Sequence, residues 1–212
     1  MIVHNTLKQG TPEWLQVRLG KVTGSMIHNL MSNGRGGKPS LMTKNYMLQL
    51  IADTLTGKPP EQFKSKEMQW GNDWEDTARE RYEYESANNV TQIGFFELSD
   101  YVGYSPDGVI SDDGLLEIKC PKSTTQLKRF FDLVIKHETI HDEYKPQIQF
   151  GLLVTGRKWC DFVSYDPRLP TGSDYLIERV ERDEEYIQDM KQRIDVFIFE
   201  MAQAISVIQP PK

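Results

Sequence analysis

Apolar positions in the first half of the chain recur at helical spacing. Thr11-Pro12-Glu13 is a helix start, a capping hydroxyl followed by Pro at the first helical position, and Trp14, Leu15 and Arg18 continue it to a stop near Gly20. A second short helix is predicted from Thr23-Gly24-Ser25-Met26, with Ile27, Leu30 and Met31 as its stripe. Thr43 is expected to cap a third, which carries Met47, Leu50, Ile51 and Leu55 and stops at Gly57 and Pro59-Pro60. Met68 to about Asn88 reads as a long helix carrying Trp70, Trp74, Ala78 and Tyr82. Ser32 to Ser40 is a basic, Gly-rich loop around Arg35.

From Val90 the pattern changes to strands, over Val90–Leu98, Tyr101–Tyr104, Asp107–Ser111 and Leu115–Lys119. Ser123–Ile135 and Tyr144–Thr155 return to helical spacing. Lys158–Tyr165 is a strand, Asp166-Pro167-Arg168-Leu169-Pro170 a turn, and Asp183–Ile205 an amphipathic closing helix. A mixed sheet flanked by helices follows, α/β or α+β. One domain over 1–212 is expected: a basic helical part at about 1–66, a sheet core at about 90–165 and the C-terminal helix at about 183–205.

Composition narrows the function classes. At 38% hydrophobic and 26% charged residues, the 212-residue chain excludes wholesale disorder, collagen and a disulfide scaffold. Its two cysteines, Cys120 and Cys160, are expected to be reduced, as in the cytoplasm. No apolar run approaches the ~20 residues that span a bilayer. Met1-Ile2-Val3-His4-Asn5 has no basic-then-apolar leader, so no signal peptide is expected. The net charge of −6 hides an asymmetry: residues 1–66 hold nine Lys/Arg against three Asp/Glu, and the remainder sixteen against twenty-eight. A basic N-terminal face suits a polyanion, and an acidic body suits a cation site.

Ser105-Pro106-Asp107-Gly108, then Leu116-Glu117-Ile118-Lys119, carries the candidate chemistry. Alternation on a strand puts Glu117 and Lys119 on one face and Ile118 on the other. Two charges on an otherwise apolar strand need a partner, because burying them unpaired is costly. Asp107 joins the same face if it opposes Glu117 or Lys119 across a hairpin. Opposition to Lys119 leaves the loop Asp112-Asp113-Gly114, with Gly in the left-handed position, and is the expected register. Asp107, Glu117 and the Ile118 carbonyl are then hard oxygen ligands suited to Mg²⁺. Lys119 would orient a nucleophile or neutralise developing charge. A competing motif, His137-Glu138-Thr139-Ile140-His141, fits the zinc-peptidase pattern H-E-x-x-H. The β-branched Thr139 and Ile140, with Asp142 and Pro146 following, suggest a helix end or loop instead. A non-catalytic DNA-end-binding module is the other alternative.

Together these motifs resemble the PD-(D/E)xK nuclease core, and more narrowly the phage alkaline exonucleases of the lambda exonuclease (YqaJ-like recombinase) type. The resemblance runs from about residue 10 to 205, through Trp14 with Arg18-Leu19-Gly20-Lys21-Val22-Thr23-Gly24-Ser25, Trp70-Gly71-Asn72-Asp73-Trp74-Glu75, Gln147-Ile148-Gln149-Phe150 and Tyr165-Asp166-Pro167-Arg168. It implies a restriction-endonuclease-like fold and a processive 5′→3′ exonuclease that degrades one strand of duplex DNA. It further implies two Mg²⁺ ions per active site, with Mn²⁺ able to substitute. A homotrimeric ring on DNA ends, a phage single-strand annealing protein as partner and a cytoplasmic setting in the bacterial host are also implied. By resemblance, Arg18, Ser25 and Ser105 line a pocket for the 5′-terminal phosphate beside Trp14. Glu75 lies close to the metals, Gln149 faces the active site, Met68 is an apolar wedge between the strands, and Arg35 tracks the duplex.

Overall fold

The computed structural model describes residues 1–59 and 65–209. Pro60, expected to help stop the third helix, lies outside them. The elements run β1 (Ile2–His4), α1 (Pro12–Val17), α2 (His28–Met31), α3 (Leu41–Thr56), α4 (Lys66–Ser86), β2 (Val90–Thr91), β3 (Phe95–Ser99), β4 (Val102–Tyr104), β5 (Gly108–Ile110) and β6 (Gly114–Lys119). After them come α5 (Ser123–Phe130), α6 (Lys145–Thr155), β7 (Trp159–Tyr165), β8 (Tyr175–Glu181) and α7 (Glu184–Ile208).

Local chemistry explains most boundaries. The Thr11 hydroxyl accepts the Trp14 N–H at 3.3 Å, with Pro12 opening α1. Ser65 caps α4 in the same way, accepting from Met68 N–H at 3.1 Å. The cap of α3 is Ser40, not Thr43: Ser40 Oγ accepts the Thr43 N–H at 3.1 Å. Thr43 instead donates its hydroxyl to Asn29 O at 2.7 Å and so ties α3 to α2.

Five strands form the main sheet in the order β2-β5-β6-β7-β8, and β1-β3-β4 form a smaller one. Only β6 and β7 are parallel among these pairs. The single strand expected over 90–98 is two, one in each sheet. Gly94 marks the break, where the chain passes so close that a Cβ would sit 2.0 Å from Leu7 O. Strands β1 and β8 were not expected from the sequence.

Alternation along the central strands gives the sheet two apolar faces. Leu115, Cys160 and Phe162 pack with Ile148, Phe150 and Leu152 of α6 and with Met190, Ile194 and Phe197 of α7. Leu116, Ile118 and Val163 pack with Ala78 and Tyr82 of α4. Glu117 and Lys119 therefore emerge on the α6 side of β6, while α4 closes the other face. The C-terminal end of β6 is where the two helix layers meet.

Candidate active site

Hairpin register sets the floor of the site. Gly108 pairs with Leu116, Val109 with Leu115 and Ile110 with Gly114. Asp107, one step earlier, thus falls opposite Glu117 rather than Lys119. The shared face is as expected, and the register is displaced by one residue on each strand. Turn chemistry misled here: Ser111, not Gly114, takes the left-handed conformation (φ 47°). Gly114 is needed because a Cβ there would lie 2.2 Å from the Trp159 ring. Arg157 holds the turn from a distance, donating Nη1 to Ser111 O at 2.7 Å and to Gly114 O at 3.0 Å.

The Asp107 carboxylate (Oδ2) accepts the Ile118 N–H at 2.7 Å. In an extended strand a residue's N–H and C=O share an edge, so the Ile118 carbonyl faces the same side as Asp107. Glu117 is fully buried (0% exposed). It accepts hydrogen bonds from Lys119 Nζ, from Gln147 Nε2 at 2.6 Å and from Tyr104 OH at 3.3 Å. Burial, with Asp107 repulsion added, pushes the Glu117 carboxyl up to about 7, against the pull of Lys119. Burial works against the Lys119 ammonium, but Glu117 and Asp107 hold its pKa above the ordinary lysine value. Burial also drives the Tyr104 phenol well up, which keeps it a donor. Its ring is wedged where a Cβ on Gly24 or Gly151 would collide with it, at 2.9 and 2.6 Å.

Glu75 reaches the floor from α4. Its pKa is raised to about 7, by burial first and by Asp107 second. Arg79 braces this corner, donating to Glu75 at 2.6 Å and to the Asp107 carbonyl at 3.1 Å. A cleft of about 590 Å³ opens above, walled by Trp14, Arg18, Ser25, Met68, Ser105 and Tyr144. Arg18 stacks on Trp14 with its guanidinium 4.1 Å from the ring centroid. Ser105 Oγ accepts from both Trp14 Nε1 (2.9 Å) and Arg18 Nη1 (3.1 Å). Burial lowers the Arg18 pKa to about 10, so the guanidinium stays charged while partly stripped of water. Met68 is 56% exposed at the cleft edge.

Asp107, Glu117, Lys119, Glu75, Ile118, Arg18, Trp14, Ser25, Ser105 and Met68 all line this cleft or its floor. Gln149 does not. Its Nε2 donates to Glu181 O at 2.8 Å and its Oε1 accepts from Asp183 N at 2.9 Å, joining α6 to the start of α7. Gln147 takes the site position instead, because residues two apart on a helix point to different faces. Arg35 stands exposed on the turn Arg35–Gly37, outside the cleft lining. The segment holding His137 and His141 is not a helix: His137 sits at φ 58°, and His141 Nδ1 lies 2.8 Å from Glu178 Oε2. The i, i+4 geometry that the zinc-peptidase reading needs is absent. Tyr104, Gln147 and Arg79 were missed as site residues. For Gln147 the signal was present in the Gln-x-Gln pair, and for Tyr104 in its place just before Ser105.

No three His, Cys, Asp or Glu side chains form a ready-made cation cage among the described residues. Magnesium does not need one, since it keeps several waters and takes one or two carboxylates with substrate oxygens. Asp107 Oδ1 takes no hydrogen bond among the described residues. With Glu117, the Ile118 carbonyl and Glu75 nearby, the donor set is all oxygen, three carboxylates against Lys119 and Arg79, and it fits a hard divalent cation.

The YqaJ-like viral recombinase domain matches residues 13–158. The chain belongs to that family. It is also similar to the alkaline exonuclease LHK-Exo of Laribacter hongkongensis, at 37% identity over 94% of this chain and 96% of that one, with a TM-score of 0.83. LHK-Exo has been crystallised in complex with dAMP as well. A phage-related exonuclease of Haemophilus somnus 129PT shares the fold at 18% identity, with a TM-score of 0.71 over 89% of this chain and 96% of that one. ExoD, an uncharacterized protein of Escherichia coli (strain K12), is 32% identical over 72 residues, 34% of this chain and 80% of its own. Family and likeness together support a DNA exonuclease of recombination, a kind of nuclease that generally uses divalent metal ions. Among the described residues no helix is long and apolar enough to cross a membrane.

Proposed function

We propose that this chain is a Mg²⁺-dependent, processive 5′→3′ exonuclease that removes one strand of linear duplex DNA and leaves a 3′ overhang for strand annealing in phage recombination. One observation carries this reading. The Arg18–Ser105 pair lines one cleft with Asp107 and Lys119, the latter bonded to the buried Glu117, and Ser105 and Asp107 are only two residues apart. A strand whose terminal phosphate is held by Arg18 thus presents an adjacent phosphodiester to the carboxylates.

Asp107, Glu117 and the Ile118 carbonyl would hold the metal, with Glu75 placed for a second. A divalent cation bound there supplies Lewis-acid charge to the scissile phosphate. Lys119 contributes a fixed ammonium that neutralises charge developing on the phosphoryl oxygens. Gln147 and Tyr104 hold the Glu117 carboxylate in place from two directions. Arg18 can meet a terminal phosphate with two parallel hydrogen bonds, and the Ser25 hydroxyl adds another. Met68, exposed at the rim, is placed to part the duplex. Arg35 would follow the backbone ahead of the cut. A homotrimeric ring supplies the hold on DNA that an acidic subunit lacks by charge alone. A phage annealing protein is the partner that would receive the overhang.

The test is digestion of linear duplexes labelled at either 5′ or 3′ ends, with and without a 5′ phosphate. Early release of 5′ label, dependent on Mg²⁺ and lost in EDTA, is expected. Early release of 3′ label would overturn the polarity.

A further inference from the structure

Beside the cleft lies a smaller cavity of about 240 Å³, lined by Lys66, Glu67, Trp70, Pro121, Lys122 and Arg168. Cys120, Pro121 and Glu67 line both spaces, so the two adjoin along one wall. The cations come from three separate parts of the chain: Lys66 from the first turn of α4, Lys122 from the segment after β6, and Arg168 from the turn after β7. The Arg168 guanidinium lies over Trp70, 4.0 Å from the ring centroid, and is steered by Asp166 at 2.7 Å. Trp74 packs against the same indole at 5.5 Å. The Trp70 N–H is buried with no acceptor among the described residues. Lys122 pairs with Glu67 at 2.8 Å, an exposed contact that an incoming anion can exchange at little cost.

Lys66 and Lys122 line the cavity beside Arg168, whose guanidinium lies over Trp70 and is held by Asp166; the two ammonium groups suit a phosphate and the guanidinium plane suits a base stacked on it. At about 240 Å³ the space is of single-nucleotide size. On the reading proposed above, duplex DNA fills the cleft mouth throughout a processive run, so each released nucleotide must leave by another way. Lys66, Lys122 and Arg168 of the adjoining cavity offer its phosphate a place to go.

We propose that this side cavity is the exit site for the nucleoside 5′-monophosphate product, an inference that rests on the exonuclease reading. Its probe is dAMP. Wild-type digestion should be inhibited by dAMP even when DNA ends are saturating, because product in the exit site does not compete with DNA. Lys122→Glu should need about tenfold more dAMP for the same inhibition, as for the loss of a charge-assisted phosphate contact. Its first cut under enzyme excess should match wild type. Arg168→Gln, which removes the stack, should act in the same direction. Quenching of tryptophan fluorescence by dAMP, measured without metal or DNA, should weaken in both variants. Equal quenching and equal inhibition in all three proteins would overturn the exit site, as would inhibition that saturating DNA abolishes. If the chain cuts no DNA but quenching still weakens in both variants, the exonuclease reading fails while the nucleotide site stands.

Discussion

Removing the Arg18 guanidinium isolates the contact that sets end preference. Arg18 is held over the Trp14 ring at 4.1 Å and donates to Ser105 at 3.1 Å, so its fork is pre-aimed before DNA arrives. Burial has already stripped much of its water, which lowers its pKa to about 10 and leaves it charged. A terminal phosphate carries more charge than an internal diester and more free acceptor oxygens. Hydrogen bonds between charged partners are worth about 1.5–3 kcal/mol, and each 1.4 kcal/mol is tenfold. Arg18→Ala should therefore cut the advantage of 5′-phosphorylated over 5′-hydroxyl ends by about 10- to 100-fold. Stability should change little. The variant loses a cation–π contact of ~0.5–1 kcal/mol and a neutral-acceptor bond of about 1 kcal/mol, but it also sheds a desolvated charge. Arg18→Lys keeps charge without the fork and should recover only part of the preference. The assay is the ratio of initial digestion rates on the two end types, alongside a thermal melt. An identical ratio in wild type and Arg18→Ala would refute the reasoning and leave Arg18 as a packing partner of Trp14.

Other residues separate equally cleanly. Gln147→Leu should slow cleavage tenfold or more and raise the Mg²⁺ concentration for half-maximal rate, because it frees one side of Glu117. Gln149→Leu should leave the rate unchanged and cost ~1 kcal/mol of stability in a denaturant melt, since it removes two part-buried hydrogen bonds, to Glu181 O and from Asp183 N–H. Glu75 and Glu117 have folded pKa values raised to about 7, so the folded state binds more protons than the unfolded between about pH 4.5 and 7. Metal-free protein should lose stability as pH rises through that window, and added Mg²⁺ should raise the melting temperature more at pH 8 than at pH 6. His141→Ala should cut DNA as wild type does, with some loss of stability from the freed Glu178, and full dependence of cleavage on His141 would revive a zinc role.

The fold's legibility in sequence followed the range of the interactions involved. Helix starts at Pro12 and along the α4 and α7 stripes depend on local caps and spacing, and they lie close to where the pattern put them. Strand faces also held, since alternation alone puts Glu117 and Lys119 together. The hairpin register did not, because Gly114 serves Trp159 and the turn is fastened by Arg157, both more than forty residues away. The β1 strand is a three-residue edge with no alternation to read. Strand β8 alternates only weakly, with charged Glu178 and Arg179 at its centre serving Ile140 and Asp161 from distant segments. Motif likeness placed a glutamine at the site, but only packing decides that Gln147 faces Glu117 while Gln149 ties α6 to α7.

Cleavage by Glu117→Ala is the most direct test of the metal-site reading. Glu117 lies at the convergence of Lys119, Gln147 and Tyr104 and directly across the hairpin from Asp107. Wild type and variant would be compared on a 5′-phosphorylated linear duplex over a Mg²⁺ titration, with circular dichroism melts to establish folding. The expected result is a folded variant with no detectable release of nucleotide at any Mg²⁺ concentration. Near-wild-type digestion by folded Glu117→Ala would contradict the assignment of the β5–β6 carboxylates as the metal-dependent nuclease centre.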